Sequence, residues 1–502
     1  MTQAHLTLDP HFVVGPIDRR VFGSFVEHLG RCVYDGIYEP GHPSSGDDGF
    51  RTDVMELVRE LGVSTIRYPG GNFVSGYRWE DGVGPREERP RRLDLAWHSA
   101  ETNEIGLDEF AHWSEAVGSE LMYAVNLGTR GVQEALDVLE YANIHSGTAL
   151  SDQRITNGTI EPHDIRIWCL GNEMDGPWQL GHGTAHDYGQ LAGKTARAMR
   201  QIDPDLELVV CGSSGAGMPT FGEWERIVLE ETYEDVDFIS CHAYYEPVDG
   251  DLSSFLASAV NMDRFIESVV ATADHVKALR RSKKTINLSF DEWNVWYQSR
   301  YNDVDKITDV TSWPKAPRLL EDSYTALDAV VFGGLLISLL RHADRVTAAS
   351  LAQLVNVIAP IMTEPGGPAW RQTTFHPFAI TSRVAQGVNL ELKLESPTTP
   401  TALYGEVPVV DAVATYDETA GAASVFLVNR SLTEEVTIQI DASRLGMSEL
   451  TAQTLHDTDI HARNTVDDPD RVVPAPNTSA RLQDGVITVT LPAVSWTAVS
   501  LC

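Results

Sequence analysis

Residues 168–175 have the sequence WCLGNEMD, in which a short apolar run ends abruptly in an amide and a carboxylate. A second run of this kind, LSFDEWNVW at residues 288–296, ends in Asp291 and Glu292 before returning to apolar residues. Each run has the length of a buried strand, and a longer stretch with helical periodicity follows it along the chain. Strands that alternate with helices in this way are typical of a parallel sheet with crossover helices.

The same alternation extends outward from these two runs over the first three quarters of the chain. It predicts eight strands, at Arg20–Glu27, Ser64–Tyr68, Leu121–Asn126, Ile165–Leu170, Leu206–Cys211, Val236–Cys241, Thr285–Phe290 and Ala348–Leu354. It also predicts seven helices, at Asp53–Leu61, Leu107–Val117, Val132–His145, Ala185–Ile202, Phe221–Glu231, Met262–Arg280 and Ser323–His342. Eight strands joined by helices indicate an α/β protein with a closed (β/α)8 TIM barrel.

The last quarter of the chain has a different texture, with short alternating strands such as Ala422–Asn429, Val436–Ile440 and Val486–Leu491 and few helical patterns. This pattern favours a C-terminal all-β domain, a jelly-roll-like sandwich. We therefore predict a catalytic barrel at residues 16–377 and a β-sandwich domain at residues 378–502. We expect an N-terminal strand within residues 1–15 to join the β-domain.

The charge of the chain excludes several classes of partner. Its 38 Lys and Arg residues against 72 Asp and Glu residues give a formal net charge of −34. Such a surface repels nucleic acid and anionic membranes. The N-terminal residues have neither a basic region nor an apolar core of a signal peptide, which favours a cytoplasmic protein. The longest apolar stretch, Ala326–Leu340, contains Asp328 and is too short to span a membrane.

The cysteines and histidines do not indicate a metal site. The five cysteines form no C-x-x-C pair, and an odd number of them fits reduced thiols. His182 and His186 have a spacing of four residues but no H-E-x-x-H context. We therefore expect neither a metal nor another cofactor.

Polar side chains collect where the predicted strands end. They are Glu27, Arg67, Asn72, Asn172, Glu173, His242, Tyr244, Asp291, Glu292 and Gln353. The carboxyl ends of the strands form the catalytic face of an α/β barrel, so we expect these side chains to meet there.

Two of these residues, Glu173 and Glu292, end the predicted fourth and seventh strands. Their separation of 292 − 173 = 119 residues equals three βα units of roughly 40 residues each, so they can face each other across the barrel mouth. A retaining glycosidase needs two carboxyl groups about 5 to 5.5 Å apart, one as nucleophile and the other as acid/base. The pair therefore suggests glycoside hydrolysis without a cofactor.

The sequence resembles glycoside hydrolase family 51, the α-L-arabinofuranosidases, over almost its entire length. Four blocks carry the resemblance: FGSFVEH at 22–28, RYPGGNF at 67–73, GNEMDGPW at 171–178 and FDEWNVW at 290–296. The resemblance implies retaining, exo-acting removal of terminal α-L-arabinofuranosyl residues from arabinoxylan or arabinan oligosaccharides. It also implies a homo-hexamer inside the cell.

The resemblance further implies a role for each matching residue. Glu173 would be the acid/base and Glu292 the nucleophile, with Arg67, His242 and Tyr244 around the nucleophile. Asn172 would bind the 2-hydroxyl of the sugar, and Glu27, Asn72 and Gln353 would hold the other furanose hydroxyls. Trp97 and Trp296 could line the leaving-group side, because flat sugar faces stack on indole rings. Asp291 has the pattern of a structural hydrogen-bond acceptor.

The sequence leaves two other functions open and disfavours a third. A β-xylosidase or endo-glycanase could use the same two glutamates on the same barrel. A non-catalytic carbohydrate-binding protein could share the aromatic residues, although it would not need both glutamates. A Ser-His-Asp hydrolase is disfavoured because CGSSG at residues 211–215 does not match G-x-S-x-G.

Overall fold

The computed structural model of the chain describes residues 2–502 and contains a closed barrel of eight parallel strands. In chain order the barrel strands are Gly23–Phe25, Thr65–Tyr68, Glu120–Ala124, Ile167–Leu170, Glu207–Val210, Phe238–Tyr245, Asn287–Val295 and Val346–Ala352. Each strand pairs with the next, and the eighth pairs with the first, so no edge is left open. The predicted α/β barrel and its eight strands are confirmed.

Helices cover the outside of the barrel. The longer ones are Thr52–Leu61, Leu107–Val117, Val132–Asn143, Ala149–Thr156, Ala185–Ile202, Glu223–Thr232, Ala259–Arg280, Ala326–Arg341 and Phe375–Val384, and Leu252–Leu256 is a short one. All seven predicted helices are present with slightly different ends. Ala149–Thr156 and Phe375–Val384 were not predicted. The predicted domain boundary between residues 377 and 378 falls within the second of these helices.

The sixth and seventh barrel strands extend further than the sequence suggested, to Tyr245 and Val295. Their pairing shifts register between Ser240 and His242, where an extra residue of the seventh strand is accommodated. Such a bulge changes the direction of neighbouring side chains. It explains why the consecutive residues Asp291 and Glu292 both reach Arg67.

Most of the remaining strands form a sandwich of two sheets, whereas Arg92–Asp94 with Ser99–Glu101 and Ile361–Thr363 with Ala369–Arg371 are separate two-stranded sheets. One sheet contains Lys393–Glu395, Thr2–Thr7, Val436–Asp441, Val486–Leu491 and Arg481–Gln483. The other contains Val13–Pro16, Val388–Leu390, Val410–Asp417, Ala422–Asn429, Ser495–Leu501, Leu450–Leu455 and Ala475–Pro476. The N-terminal strand Thr2–Thr7 is thus parallel to Val436–Asp441 in the C-terminal domain. A separate hairpin, Thr398–Thr401 with Gly405–Pro408, projects from this domain.

The apolar helix Ala326–Arg341 joins the two domains. Every residue from Ala326 to Leu340 is buried, because one side of the helix packs on the barrel and the other on the sandwich. At Gly333 a Cβ atom would lie 2.2 Å from the Trp496 ring, so only glycine allows this approach. No helix in residues 2–502 is long and apolar enough to cross a membrane.

Candidate active site

Glu292 lies in the seventh strand at the mouth of the barrel and has two hydrogen-bond donors. Arg67, in the second strand, donates to Oε1 over 2.9 Å, and the Tyr244 hydroxyl donates to Oε2 over 2.6 Å. The carboxylate is 5% exposed, so both bonds form away from bulk water. Charge-assisted bonds of this kind orient a carboxylate and stabilise its negative charge.

Glu173 follows the fourth strand, and its two oxygens have different partners. His242 Nδ1 lies 2.8 Å from Oε1, and the indole N–H of Trp178 donates to Oε2 over 2.7 Å. The backbone at Glu173 has φ of 44°, in the left-handed region that non-glycine residues seldom occupy. Strain of this type costs on the order of 1–3 kcal/mol and is concentrated at functional sites.

The two glutamates are close neighbours across the mouth. A carboxylate oxygen of Glu173, a ring nitrogen of His242 and a carboxylate oxygen of Glu292 all lie within 4.8 Å of one another. Burial alone would lower the pKa of His242, but the charge of Glu292 and the hydrogen bond to Glu173 outweigh it and raise the pKa. The two neighbouring carboxyl groups therefore favour the charged form of the His242 imidazole.

The same three side chains, Glu173, His242 and Glu292, are close enough together to bind a metal ion. Their other hydrogen bonds show what else holds them in this arrangement. Glu173 accepts hydrogen bonds from Trp178 and His242, while Arg67 and Tyr244 occupy both oxygens of Glu292. Hydrogen bonds within the protein thus account for the approach of the two carboxylates.

Arg67 links Glu292 to the asparagines at neighbouring strand ends. Besides Glu292, its guanidinium donates to Asn172 Oδ1 over 2.7 Å, and its Nε lies 3.7 Å from Asp291 Oδ2. Asn172 Nδ2 in turn faces Asn72 Oδ1 at 3.4 Å. The side chain of Arg67 is 1% exposed. One buried guanidinium therefore contacts three polar residues from two strand ends, those of the fourth and the seventh strand.

Asp291 lies beneath the mouth and faces the barrel interior. It accepts a hydrogen bond from the Ser289 hydroxyl, and the Cys169 thiol lies 3.7 Å from its other oxygen. Burial raises the pKa of this carboxyl, and the Arg67 charge only partly offsets the effect. Asp291 thus accepts hydrogen bonds next to Arg67, and its structural role stays a prediction.

Another buried carboxyl group, that of Glu27, lies at the end of the first strand. Its Oε1 accepts from the Phe73 backbone N–H over 2.8 Å and from the Trp97 indole over 2.9 Å. Gln353 Nε2 lies 3.2 Å from Oε2. Burial raises the pKa of Glu27 to about 8 in spite of these donors. This cluster of a carboxyl, an amide and an indole N–H suits the hydroxyls of a small sugar.

Aromatic rings line the rim of the site. Trp296 packs edge-on against Tyr244 with ring centroids 4.9 Å apart. Tyr301 contacts both Trp296 and Trp97, with centroids at 6.0 and 5.9 Å. The rings form a wall over the polar floor made by Glu27 and Glu292.

All of the residues selected from the sequence therefore meet at one end of the barrel, in two groups around Arg67 and Glu27. Three contributors were not selected: the Trp178 indole, the Phe73 backbone N–H and the Tyr301 ring. Trp178 was within the block GNEMDGPW, and its position five residues after Glu173 was the available signal. A backbone donor such as Phe73 leaves no signature in residue type.

A TIM barrel with paired carboxyl groups, buried polar clusters and an aromatic rim at its catalytic face has the architecture of a glycoside hydrolase. Comparison with family models gives the particular family. The α-L-arabinofuranosidase 1 domain matches residues 57–265, and the α-L-arabinofuranosidase C-terminal domain matches residues 291–495.

Individual relatives agree with these matches. An intracellular exo-α-(1→5)-L-arabinofuranosidase from Streptomyces lividans is 60% identical over 99% of this chain and 75% of its own length. An exo-α-(1→6)-L-arabinofuranosidase from Bifidobacterium longum is also 60% identical, over 99% of this chain and 97% of its own. The structure of a family 51 α-L-arabinofuranosidase from Bifidobacterium longum superposes with a TM-score of 0.96 at 52% identity, covering 100% of both chains.

The chain belongs to glycoside hydrolase family 51, the α-L-arabinofuranosidases, and is an enzyme that hydrolyses α-L-arabinofuranosyl residues. The recognition made from the four sequence blocks is thereby confirmed.

Proposed function

We propose that this enzyme removes terminal non-reducing α-L-arabinofuranosyl residues with retention of configuration, using Glu292 as nucleophile and Glu173 as acid/base. The observation that carries the proposal is the approach of their carboxylate oxygens within 4.8 Å. This spacing matches the roughly 5–5.5 Å of retaining enzymes and leaves no room for the water that inverting enzymes hold between carboxyl groups about 6.5–9.5 Å apart.

In the first step Glu292 attacks the anomeric carbon while the bond to the leaving oxygen breaks. Glu173 gives its proton to that oxygen, so the leaving group departs as a neutral alcohol. Arg67 and Tyr244 fix the two oxygens of Glu292 and leave the carboxylate aimed into the mouth. Their hydrogen bonds pre-orient the nucleophile before the sugar binds.

In the second step water attacks the glycosyl–enzyme ester, and Glu173 takes up a proton from it. Formation of the ester removes the negative charge of Glu292, and Glu173 has already given up its proton, so it can accept one from the water. The pKa of His242 depends on the same charge, since Glu292 is the main group that raises it. The charge change at Glu292 therefore also lowers the pKa of His242 during the second step.

The furanose itself is held by the polar groups around Glu27 and Arg67. We propose that Glu27, Asn72 and Gln353 bind its outer hydroxyls and that Asn172 binds the 2-hydroxyl next to Glu292. Trp97 and Trp296 bound the pocket that receives the sugar and its leaving group. Because Glu27 and Gln353 are each 2% exposed, this pocket is closed at one end and supports exo action on chain termini.

The substrates that we propose are arabinoxylan or arabinan oligosaccharides inside the cell. Support comes from the names of the relatives, two of which are described as acting on (1→5) or (1→6) linkages at equal identity to this chain. Activity found mainly in the medium of intact cells would contradict the intracellular location.

We also propose a homo-hexamer, on the family resemblance alone. Light scattering of the purified chain measures its mass in solution directly. A mass of six chains is expected, and a monomeric mass would contradict this assembly.

The test of the mechanism uses 4-nitrophenyl α-L-arabinofuranoside with the wild type, Glu292→Ala and Glu173→Ala. We expect wild-type turnover, loss of activity in Glu292→Ala and restoration of Glu173→Ala activity by azide, which attacks the ester without needing a base. The azide product should keep the α-configuration in Glu173→Ala, and an α-configured azide product from Glu292→Ala instead would exchange the two roles. Faster turnover of a β-xyloside would overturn the substrate, and no turnover of any glycoside would favour a binding protein.

A further inference from the structure

A cavity of about 240 Å³ lies beside the candidate active site, between the barrel and the C-terminal domain. Tyr244 and Trp296 belong to both places, because they contact the cavity as well as the surroundings of Glu292. The opposite wall is formed by Leu403 and Tyr404 of the projecting hairpin, Thr398–Thr401 with Gly405–Pro408. The cavity is thus continuous with the rim of the catalytic site and is completed by the second domain.

The tip of the hairpin is fixed to the barrel by hydrogen bonds. The backbone N–H of Leu403 donates to Ser254 Oγ over 3.1 Å, and that of Ala402 donates to Asp251 Oδ2 over 3.3 Å. The guanidinium of Arg264 lies 5.9 Å from the centre of the Tyr404 ring. The hairpin therefore holds Tyr404 in a fixed place, although Leu403 itself is 53% exposed.

Several polar groups that line the cavity have no partner. Among the described residues, the side-chain amide of Gln298 and the hydroxyl of Tyr404 make no hydrogen bond, and the buried Nε1 of Trp296 has none either. Of the described residues that line the cavity, Glu246 alone has a carboxylate, and the Ser299 hydroxyl donates to it over 2.7 Å. Aromatic faces with neutral donors and acceptors suit a carbohydrate better than an ion.

The sixth barrel strand shows how such a carbohydrate would be placed. On one face of this strand His242 contacts Glu173, and Tyr244, two residues further on, contacts Glu292. Glu246 continues the same spacing and lies at the cavity. Each step of two residues advances roughly 7 Å along a strand, so the path runs from the acid/base outward into the cavity.

Resting on the proposed function, we propose that this cavity is a binding site for the leaving-group side of the substrate. It would bind a neutral sugar unit of the leaving group, one unit further from the cleaved bond than the unit that carries the leaving oxygen. Trp296 and Tyr404 would be the flat walls of this site, and the side chain of Gln298 would form hydrogen bonds to the sugar. The C-terminal domain would thus take part in substrate selection through its hairpin.

The test compares Tyr404→Ala and Gln298→Ala with the wild type on two substrates. Linear α-linked arabinotriose has a leaving group long enough to enter the cavity, whereas 4-nitrophenyl α-L-arabinofuranoside does not. We expect KM for arabinotriose to rise about tenfold in Tyr404→Ala and about fivefold in Gln298→Ala. KM for the aryl glycoside and kcat for both substrates should stay within about twofold, because neither side chain touches the reacting atoms. Glu406→Gln, on the same hairpin but outside the cavity, is the matched control.

The outcomes separate the two proposals. Wild-type protein that fails to cleave the aryl glycoside contradicts the proposed function itself. An active wild type whose KM for arabinotriose is unchanged in both variants overturns the cavity site alone. If Tyr404→Ala loses activity on both substrates through misfolding, Gln298→Ala decides, since its exposed side chain lies on the barrel and has no hydrogen bond to lose.

Discussion

Two clusters of arginine and acidic residues in this enzyme differ in charge balance. At the barrel mouth, the single guanidinium of Arg67 contacts the carboxyl groups of Asp291 and Glu292, with Glu173 and Glu27 nearby. Between the domains, two arginines face two aspartates. This domain cluster consists of Asp263, Arg341, His342, Asp411 and Arg430.

The domain cluster is a chain of ion pairs that connects the barrel to the sandwich. Arg341, the last residue of the long apolar helix, donates to Asp263 over 2.5 Å and also bonds Asp411 of the sandwich. Arg430 bonds the other oxygen of Asp411. Every carboxylate thus has a guanidinium partner, and the chain connects a barrel helix to the second domain.

The pKa values show what the difference in balance does. Burial would raise the pKa of Asp263, but the hydrogen bond from His342 and the charge of Arg341 lower it to about 2. At the mouth burial prevails, so the pKa of Glu27 rises to about 8 and that of Asp291 also rises. Balanced charges fix a carboxylate in one state, whereas a surplus of carboxyl groups leaves protons that can move.

The largest expected effect comes from removing the cation of each cluster. Arg67→Met should lower kcat/KM on the order of 1000-fold, because Asp291 and Glu292 would both lose the buried guanidinium that they share. Arg430→Met should leave kcat/KM within about twofold and lower thermal stability instead. Steady-state rates on the aryl glycoside and unfolding followed by circular dichroism measure both effects. Equal losses of activity in the two variants would remove the distinction between the clusters.

Asp263→Asn tests whether the domain cluster is a stability device. Breaking a largely buried ion pair costs about 3 kcal/mol, so Tm should fall by roughly 3 °C in a chain of 502 residues that unfolds as one unit. The rate constant kcat should not change, since Asp263 lies on the helix Ala259–Arg280 outside the mouth. Glu267→Gln on an exposed position of the same helix is the control. An unchanged Tm in Asp263→Asn would show that the ion pairs of the domain cluster do not stabilise the fold.

The two clusters should also respond to pH with opposite sign. A lowered pKa means that Asp263 stabilises the fold above pH 3.8 and loses this effect, about 2 kcal/mol, as the pH falls through about 2. The difference in Tm between the wild type and Asp263→Asn should therefore shrink from pH 6 to pH 3.

A raised pKa means that the neutral form of Glu27 is favoured in the folded protein, so the contribution of Glu27 to stability declines from pH 4.5 to about 8. Glu27→Gln should gain stability relative to the wild type over that range, and a pH-independent difference would contradict the account.

Within the mouth, Asp291→Asn separates support from catalysis. We expect a loss of about 10- to 100-fold in kcat, because Arg67 keeps Glu292 but loses a second acidic partner. Glu292→Gln should lose far more, since it removes the attacking oxygen. An Asp291→Asn variant as inactive as Glu292→Gln would assign Asp291 a direct part in the reaction.

The smallest expected effect is that of Trp178→Phe. The indole N–H donates to one oxygen of Glu173, and the ring is half-exposed beside this carboxyl group. We expect kcat/KM to fall about threefold for oligosaccharides, which need protonation, and to stay unchanged for an aryl glycoside with an acidic leaving group. Trp370→Phe, away from the mouth, is the control, and equal losses on both substrates would contradict this positioning role.

The fold could be predicted because hydrophobic periodicity is local. The runs before Glu173 and Glu292 and the helices after them fixed eight strands, and the four sequence blocks identified the family. The extension of the sixth and seventh strands could not be predicted, because it depends on a bulge between paired strands. The helix Phe375–Val384 was missed because its short apolar pattern runs into the start of the sandwich.

The residues of the site could be selected by type, but their pairings could not. The contacts of Arg67 with Asn172 and Glu292 join positions 105 and 225 residues apart, and no local pattern specifies them. The wall that Tyr404 adds to the neighbouring cavity comes from another domain. Such contacts follow from the way the domains pack, which is a property of the whole chain.

The central claim is that Glu292 forms a covalent bond with the arabinofuranosyl unit while Glu173 serves as acid/base. Its most direct test is mass spectrometry of Glu173→Ala treated with 2,4-dinitrophenyl α-L-arabinofuranoside, whose leaving group needs no acid. The account predicts an adduct of one anhydropentose unit on the peptide that contains Glu292. An adduct on another residue, or complete turnover with inversion and no adduct, would contradict it.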